Sequence, residues 1–162
     1  MVEKRGSKTA TAPLTLEFAP ACKQLSLVLL AIFLISFTVT WYKVWWDSLI
    51  GIGVMAYGYW VLKDTNPASL DPVRVRHFQY GTTLSLVCHI IAVGEITYFV
   101  IKLYLLDKIV DEEEGPGIPL FVFLYFFLLF EIGVTSFGVE RTYNLSQEIS
   151  RNEYFLQSEA RV

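Results

Sequence analysis

Histidine and cysteine are almost missing from this chain. Its 162 residues hold two of each: His77 and His89, Cys22 and Cys88. No HExxH, CxxC, phosphate-binding P-loop or GxSxG elbow occurs. Zinc-hydrolase, dithiol, nucleotide and serine-hydrolase chemistry therefore have no basis in the sequence. Cys88 and His89 are adjacent, and neighbours on a helix point about 100° apart, which suits a shared metal poorly. Haem ligation by His89 wants a second histidine at comparable depth, and His77 does not offer one. The expectation is a protein that is not an enzyme, with no metal and no cofactor. Thirteen basic residues against sixteen acidic ones leave no basic footprint for nucleic acid.

What is abundant is apolar surface. The chain is 54% hydrophobic with a mean hydropathy of +0.46, and the apolar residues come in blocks. Four runs approach or meet the length of about 18 residues that spans a bilayer: 25–41, 44–62, 84–106 and 118–139. The first has no charge, and the second has only Asp47, near its start. Glu95 and Lys102 interrupt the third, and Glu131 interrupts the fourth. A soluble helix of this length would show a polar face; FVFLYFFLLF, 121–130, shows none. The predicted fold class is an all-α integral membrane protein, a four-transmembrane-helix bundle over 25–139. A mobile tail, 1–24, precedes it, and a C-terminal tail that can be helical, 140–162, follows.

Charge sets the expected orientation. The tails and the second connection carry ten lysines and arginines; the first and third connections, with the ends of their spans, carry three. Positive loops stay on the cytoplasmic side, so both termini are expected there. Arg74 and Arg76, before the third run, are placed to touch lipid headgroups. Trp41, Trp45 and Trp46 cluster at the first connection and read as an interfacial aromatic anchor. The third connection holds an acidic run, 111–114, read as a solvated charge cluster. The second connection contains Asn66-Pro67 and Asp71-Pro72, both turn signals. No targeting pattern singles out a membrane; the endomembrane system or plasma membrane is expected, with an organellar membrane as the alternative. Neither cysteine falls in an expected exterior loop, which argues against tetraspanin-like or claudin-like proteins, whose exterior loops are stapled by disulfides.

Within the runs, a few residues invite a functional reading. Gly51, Gly53 and Gly58 clear a surface for close helix packing. Glu95 and Glu131 are the conspicuous intramembrane carboxylates, each costing about 2.5–3.5 kcal/mol to insert at mid-span. Their depths allow a direct pair. With His89 they would line an ion path, or each would bond to a neighbouring helix, which is worth about 0.6–2 kcal/mol. The leading expectation is a non-catalytic accessory or assembly subunit of a larger membrane complex, with lipids and other membrane subunits as partners. The alternatives are a small transporter or channel using Glu95 and Glu131, and a tetraspan trafficking or membrane-organising protein.

Overall fold

The computed structural model describes residues 16–40, 43–64, 70–106 and 118–159. The described residues form four α-helices and no strand: α1 (Phe18–Thr40), α2 (Trp45–Val61), α3 (Pro72–Leu106) and α4 (Ile118–Glu159). Three of them, α1, α3 and α4, are long and apolar enough to cross a membrane.

The helices run up, down, up, down, and each packs on two neighbours in ring order, α1 on α2, α2 on α3, α3 on α4 and α4 on α1. Antiparallel register is visible in pairs of contacts. Thr40 meets Ser48 while Lys23 reaches the Lys63 carbonyl. Asp47 meets His89 while Phe78 lies against Gly58.

The interior follows a 3-4 alternation on every helix. On α1 the buried positions are 19, 22, 26, 29, 33, 36 and 40; on α4 they run 121, 124, 128, 131, 135, 138, 142, 145 and 149. On α3 the set 75, 78, 82, 85, 89, 92, 96 repeats it, and α2 follows with 44, 48, 51, 55, 58 and 62. This is the seam of a left-handed bundle, in which a mean spacing of 3.5 keeps one stripe facing its partners. The outward faces are no less apolar. Phe123, Phe126, Phe130, Tyr98, Ile90 and Ile91 are each more than half exposed, as suits a surface solvated by lipid.

Helix ends depart from the hydropathy boundaries for local reasons. Asp71-Pro72 starts α3 instead of making only a turn. The Asp71 carboxylate accepts the Val73 N–H at 2.9 Å and pairs with Arg74 at 3.3 Å, and proline suits the first helical position. Residues 72–83, read in the sequence as connection, are therefore helical. So is the C-terminal tail through Glu159, as a continuation of α4. The first turn of α1 is capped from a distance. The Glu148 carboxylate accepts the N–H groups of Glu17 (2.7 Å) and Phe18 (3.2 Å), satisfying donors that a helix start leaves open.

The helices are staggered. Val44, at the α1–α2 hairpin, packs with Ala92, Ile96, Phe121, Leu124 and Leu128, and the Lys43 ammonium lies 4.6 Å from the Phe99 ring centre. Beyond that level α3 and α4 continue as a pair of helices.

Candidate functional site

Two apolar clusters fill the bundle. One occupies the end near the termini, including Phe33, Met55, Val75, Phe78 and Leu145. The other, around Ile96 and Leu124, lies at the hairpin end. Between them sits a polar layer supplied by all four helices.

Its centre is Asp47 from α2, His89 from α3 and Glu131 from α4. All three are at most 1% exposed. Each offers a donor atom, and these atoms lie within 4.8 Å of one another. The His89 Nδ1–H donates to Asp47 Oδ2 at 2.6 Å. That bond fixes the imidazole tautomer and leaves Nε2 as the acceptor nitrogen. The Phe33 ring, tilted at 45° with its centre 5.1 Å from that of His89, closes the site on the α1 side.

The helices place these groups for plain reasons. His89 and Glu131 are seam positions of the 3-4 pattern, so bundle packing turns them inward. Asp47 lies in the first turn of α2, next to seam position Ser48, where a carboxylate is favoured by the helix dipole.

Hydroxyls surround the triad. Ser48 Oγ donates to Ser36 Oγ at 2.9 Å and lies 3.0 Å from Thr40 Oγ1, which donates to the Ser36 carbonyl at 2.8 Å. The Ser36 hydroxyl faces Glu131. One turn towards the termini come Ser85 on α3 and Thr135 on α4, and beyond them Thr82 and Thr142, whose hydroxyls are 3.1 Å apart.

The layer is underbonded. Among the described residues, Asp47 Oδ1, His89 Nε2, both carboxylate oxygens of Glu131, and the hydroxyls of Ser85 and Thr135 have no hydrogen-bond partner. A buried polar atom without a partner costs about 1–3 kcal/mol, and more if charged. Each such group calls for an explanation, a catalytic role or a bound water or ion among them.

The other residues singled out in the sequence lie elsewhere. Glu95 is half-buried on α3 and outside the triad, so Glu131 meets Asp47 and His89 and not Glu95. Gly51 and Gly58 are close-approach positions: a Cβ on Gly51 would come within 2.7 Å of the Phe33 ring, and one on Gly58 would run into Phe78. Gly53 faces open space. Arg74 stacks over the Trp60 ring at 5.0 Å, and Arg76 is exposed. Trp45 is exposed and Trp46 packs against the hairpin-end cluster; Trp41 lies outside the described residues. So do the acidic run and Asn66-Pro67. Both cysteines are free thiols, and Cys22 donates to the Arg141 carbonyl at 3.3 Å.

Asp47 is the site residue that sequence reading passes over. Its signal was available: it is the only charge in the second apolar run, and an ionisable residue in such a run marks a functional position by default. Its nearness to the run's edge makes it look interfacial.

Compared with protein-family models, curated proteins and solved structures, the chain matches none of them.

Proposed function

We propose that this chain is a small membrane-embedded proton carrier whose working group is Asp47–His89–Glu131. The observation that carries this reading is the triad itself: three ionisable side chains from three helices, fully buried, with acceptor atoms left unpaired. Glu131 lies about 12 Å from the polar end of the apolar stretch of α4, well inside the hydrocarbon depth. An imidazole between two carboxylates can take up and pass on a proton through either nitrogen. Hydroxyls at Ser36, Ser48, Ser85 and Thr135 extend the hydrogen-bonding surface on both sides. The apolar clusters above and below favour a carrier, whose site is closed off in turn, over an open water-filled pore.

In this reading all four helices cross the bilayer. α2, at 17 residues, covers about 26 Å, and the hairpin end sits within the membrane face. The excess of basic residues near the termini puts both termini on the cytoplasmic side, and the endomembrane system or plasma membrane is the natural setting.

The test is flux. The purified chain in liposomes should dissipate an imposed proton gradient faster than protein-free liposomes. Glu131→Gln and His89→Gln should abolish the excess, and Glu95→Gln should keep it. A wild-type rate equal to that of empty liposomes would sink the reading.

One observation favours a second reading, an accessory subunit of a membrane complex. Tyr98 (62% exposed) and Phe126 (65%) stand on outer faces of α3 and α4 level with the α1–α2 hairpin and offer aromatic surface to a neighbouring subunit. Gentle extraction from the native membrane decides it: a fixed-stoichiometry assembly supports it, and a partner-free chain refutes it.

A further inference from the structure

We infer that Asp47, His89 and Glu131 form a binding site for one divalent first-row transition-metal ion of the zinc class. The inference uses the triad geometry and does not depend on proton flux.

Four observations carry it. The first is the donor set. One imidazole and two carboxylates are supplied by three different helices, with donor atoms within 4.8 Å of one another. Bonds of about 2.0–2.2 Å to a tetrahedral ion put ligand atoms roughly 3.3–3.6 Å apart, about an ångström inside the present limit.

The second is the unpaired atoms. His89 Nε2, Asp47 Oδ1 and both oxygens of Glu131 lack partners while the side chains are at most 1% exposed. These are the lone pairs a cation would take.

The third is charge. The site brings two carboxyl groups and one imidazole together, and a divalent ion would balance both carboxylates once they ionise. Among the described residues no lysine or arginine pairs with Asp47 or Glu131, so protein cations do not supply that balance. Uncompensated buried charge is strongly destabilising.

The fourth is selectivity by chemistry. The layer has no sulfur ligand, because Cys88 lies outside the group, so soft monovalent copper is disfavoured. Three donors fall short of the six to eight oxygens calcium takes, and imidazole does not suit magnesium. Three protein ligands leave a fourth position, which zinc sites of this kind fill with water. Metal binding exchanges the Asp47–His89 hydrogen bond for a bond from each side chain to the ion, since one carboxylate cannot both hold Nδ1 and reach an ion on Nε2.

The experiment uses the full chain in detergent micelles, stripped with a chelator and then titrated with Zn²⁺ in millimolar Mg²⁺. Expected are one ion bound per chain and a melting temperature that rises with zinc concentration. His89→Gln and Glu131→Gln should weaken binding by more than about 100-fold, exceeding the 10–100-fold cost of outer-shell changes. Glu95→Gln should leave it unchanged. Because a core variant can fail to fold, wild-type protein loaded with Co²⁺ gives an independent reading. A four-coordinate visible spectrum with one imidazole and carboxylate ligands in X-ray absorption supports the site. Absence of stoichiometric binding, binding displaced by Mg²⁺, sulfur ligation, or binding that survives in both folded variants overturns it. Zinc binding without proton flux would leave the inference standing and remove the carrier reading; proton flux without zinc binding would do the reverse.

Discussion

His89 Nδ1 lies 2.6 Å from Asp47 Oδ2, and both side chains are closed to solvent. The bond joins α2 to α3 across the bundle, with Glu131 of α4 beside it. It is short enough to be charge-assisted, and it orders the imidazole on which the rest of the layer is arranged.

Asp47→Ala should therefore cost more than a surface change. Removing the carboxylate leaves the buried His89 N–H without its acceptor, at about 1–3 kcal/mol. Thermal unfolding in detergent should show a large drop in melting temperature. Melting within a degree of wild type would mean that the pair adds nothing to the bundle.

Gly58 and Gly53 make an opposed pair. Gly58→Leu drives a side chain into Phe78, and overpacking of this kind costs about 1–3 kcal/mol. Gly53 faces open space, so Gly53→Ala should be neutral or stabilise by up to about 1 kcal/mol through helix propensity. Gly58→Leu should lower the melting temperature and Gly53→Ala should not; a fall of equal size in both would contradict the packing.

Ser48 links Ser36 and Thr40 at the hairpin end of the polar layer. Ser48→Ala removes both hydrogen bonds of this hydroxyl and leaves its partners underbonded, which should cost about 1–3 kcal/mol. In a double-mutant cycle with Ser36→Ala the two changes should be non-additive. Strict additivity would show that the hydroxyls act independently.

Glu148 should hold the start of α1. Glu148→Ala removes the acceptor for the Glu17 and Phe18 N–H groups, at a cost of about 1.5–3 kcal/mol for bonds to a charged group. Hydrogen exchange should accelerate over the first turn of α1 and stay slow near Phe33. Unchanged protection at 17–22 would refute the cap.

Phe126, 65% exposed on α4, should face lipid. A nitroxide at this position should be reached by oxygen and shielded from a water-soluble nickel reagent. The opposite pattern would place this level of α4 outside the hydrocarbon.

Much of this organisation is written in the residues. Four apolar runs become four helices, and blocks such as 121–130 have no other stable use. The 3-4 stripe is legible too: Thr82, Ser85 and His89 on α3, with Glu131, Thr135 and Thr142 on α4, sit at seam spacing. Hydropathy hides that stripe, because lipid is as apolar as a protein core. In a membrane bundle the small and polar residues mark the inside, and a search for an apolar face overlooks them.

By itself the sequence determined helicity, membrane-scale length and the presence of buried ionisable groups, since these follow from local composition and backbone hydrogen bonding. Only the tertiary structure decided which of those groups meet. Glu95 and Glu131 have compatible depths, but depth leaves rotation about each helix axis open. Packing of the seam turns Glu131 to the centre and leaves Glu95 outside it. The antiparallel register of α2 against α3 then brings Asp47, at the start of one helix, beside His89, midway along the next. Forty-two positions separate those two residues, and no local rule spans that distance.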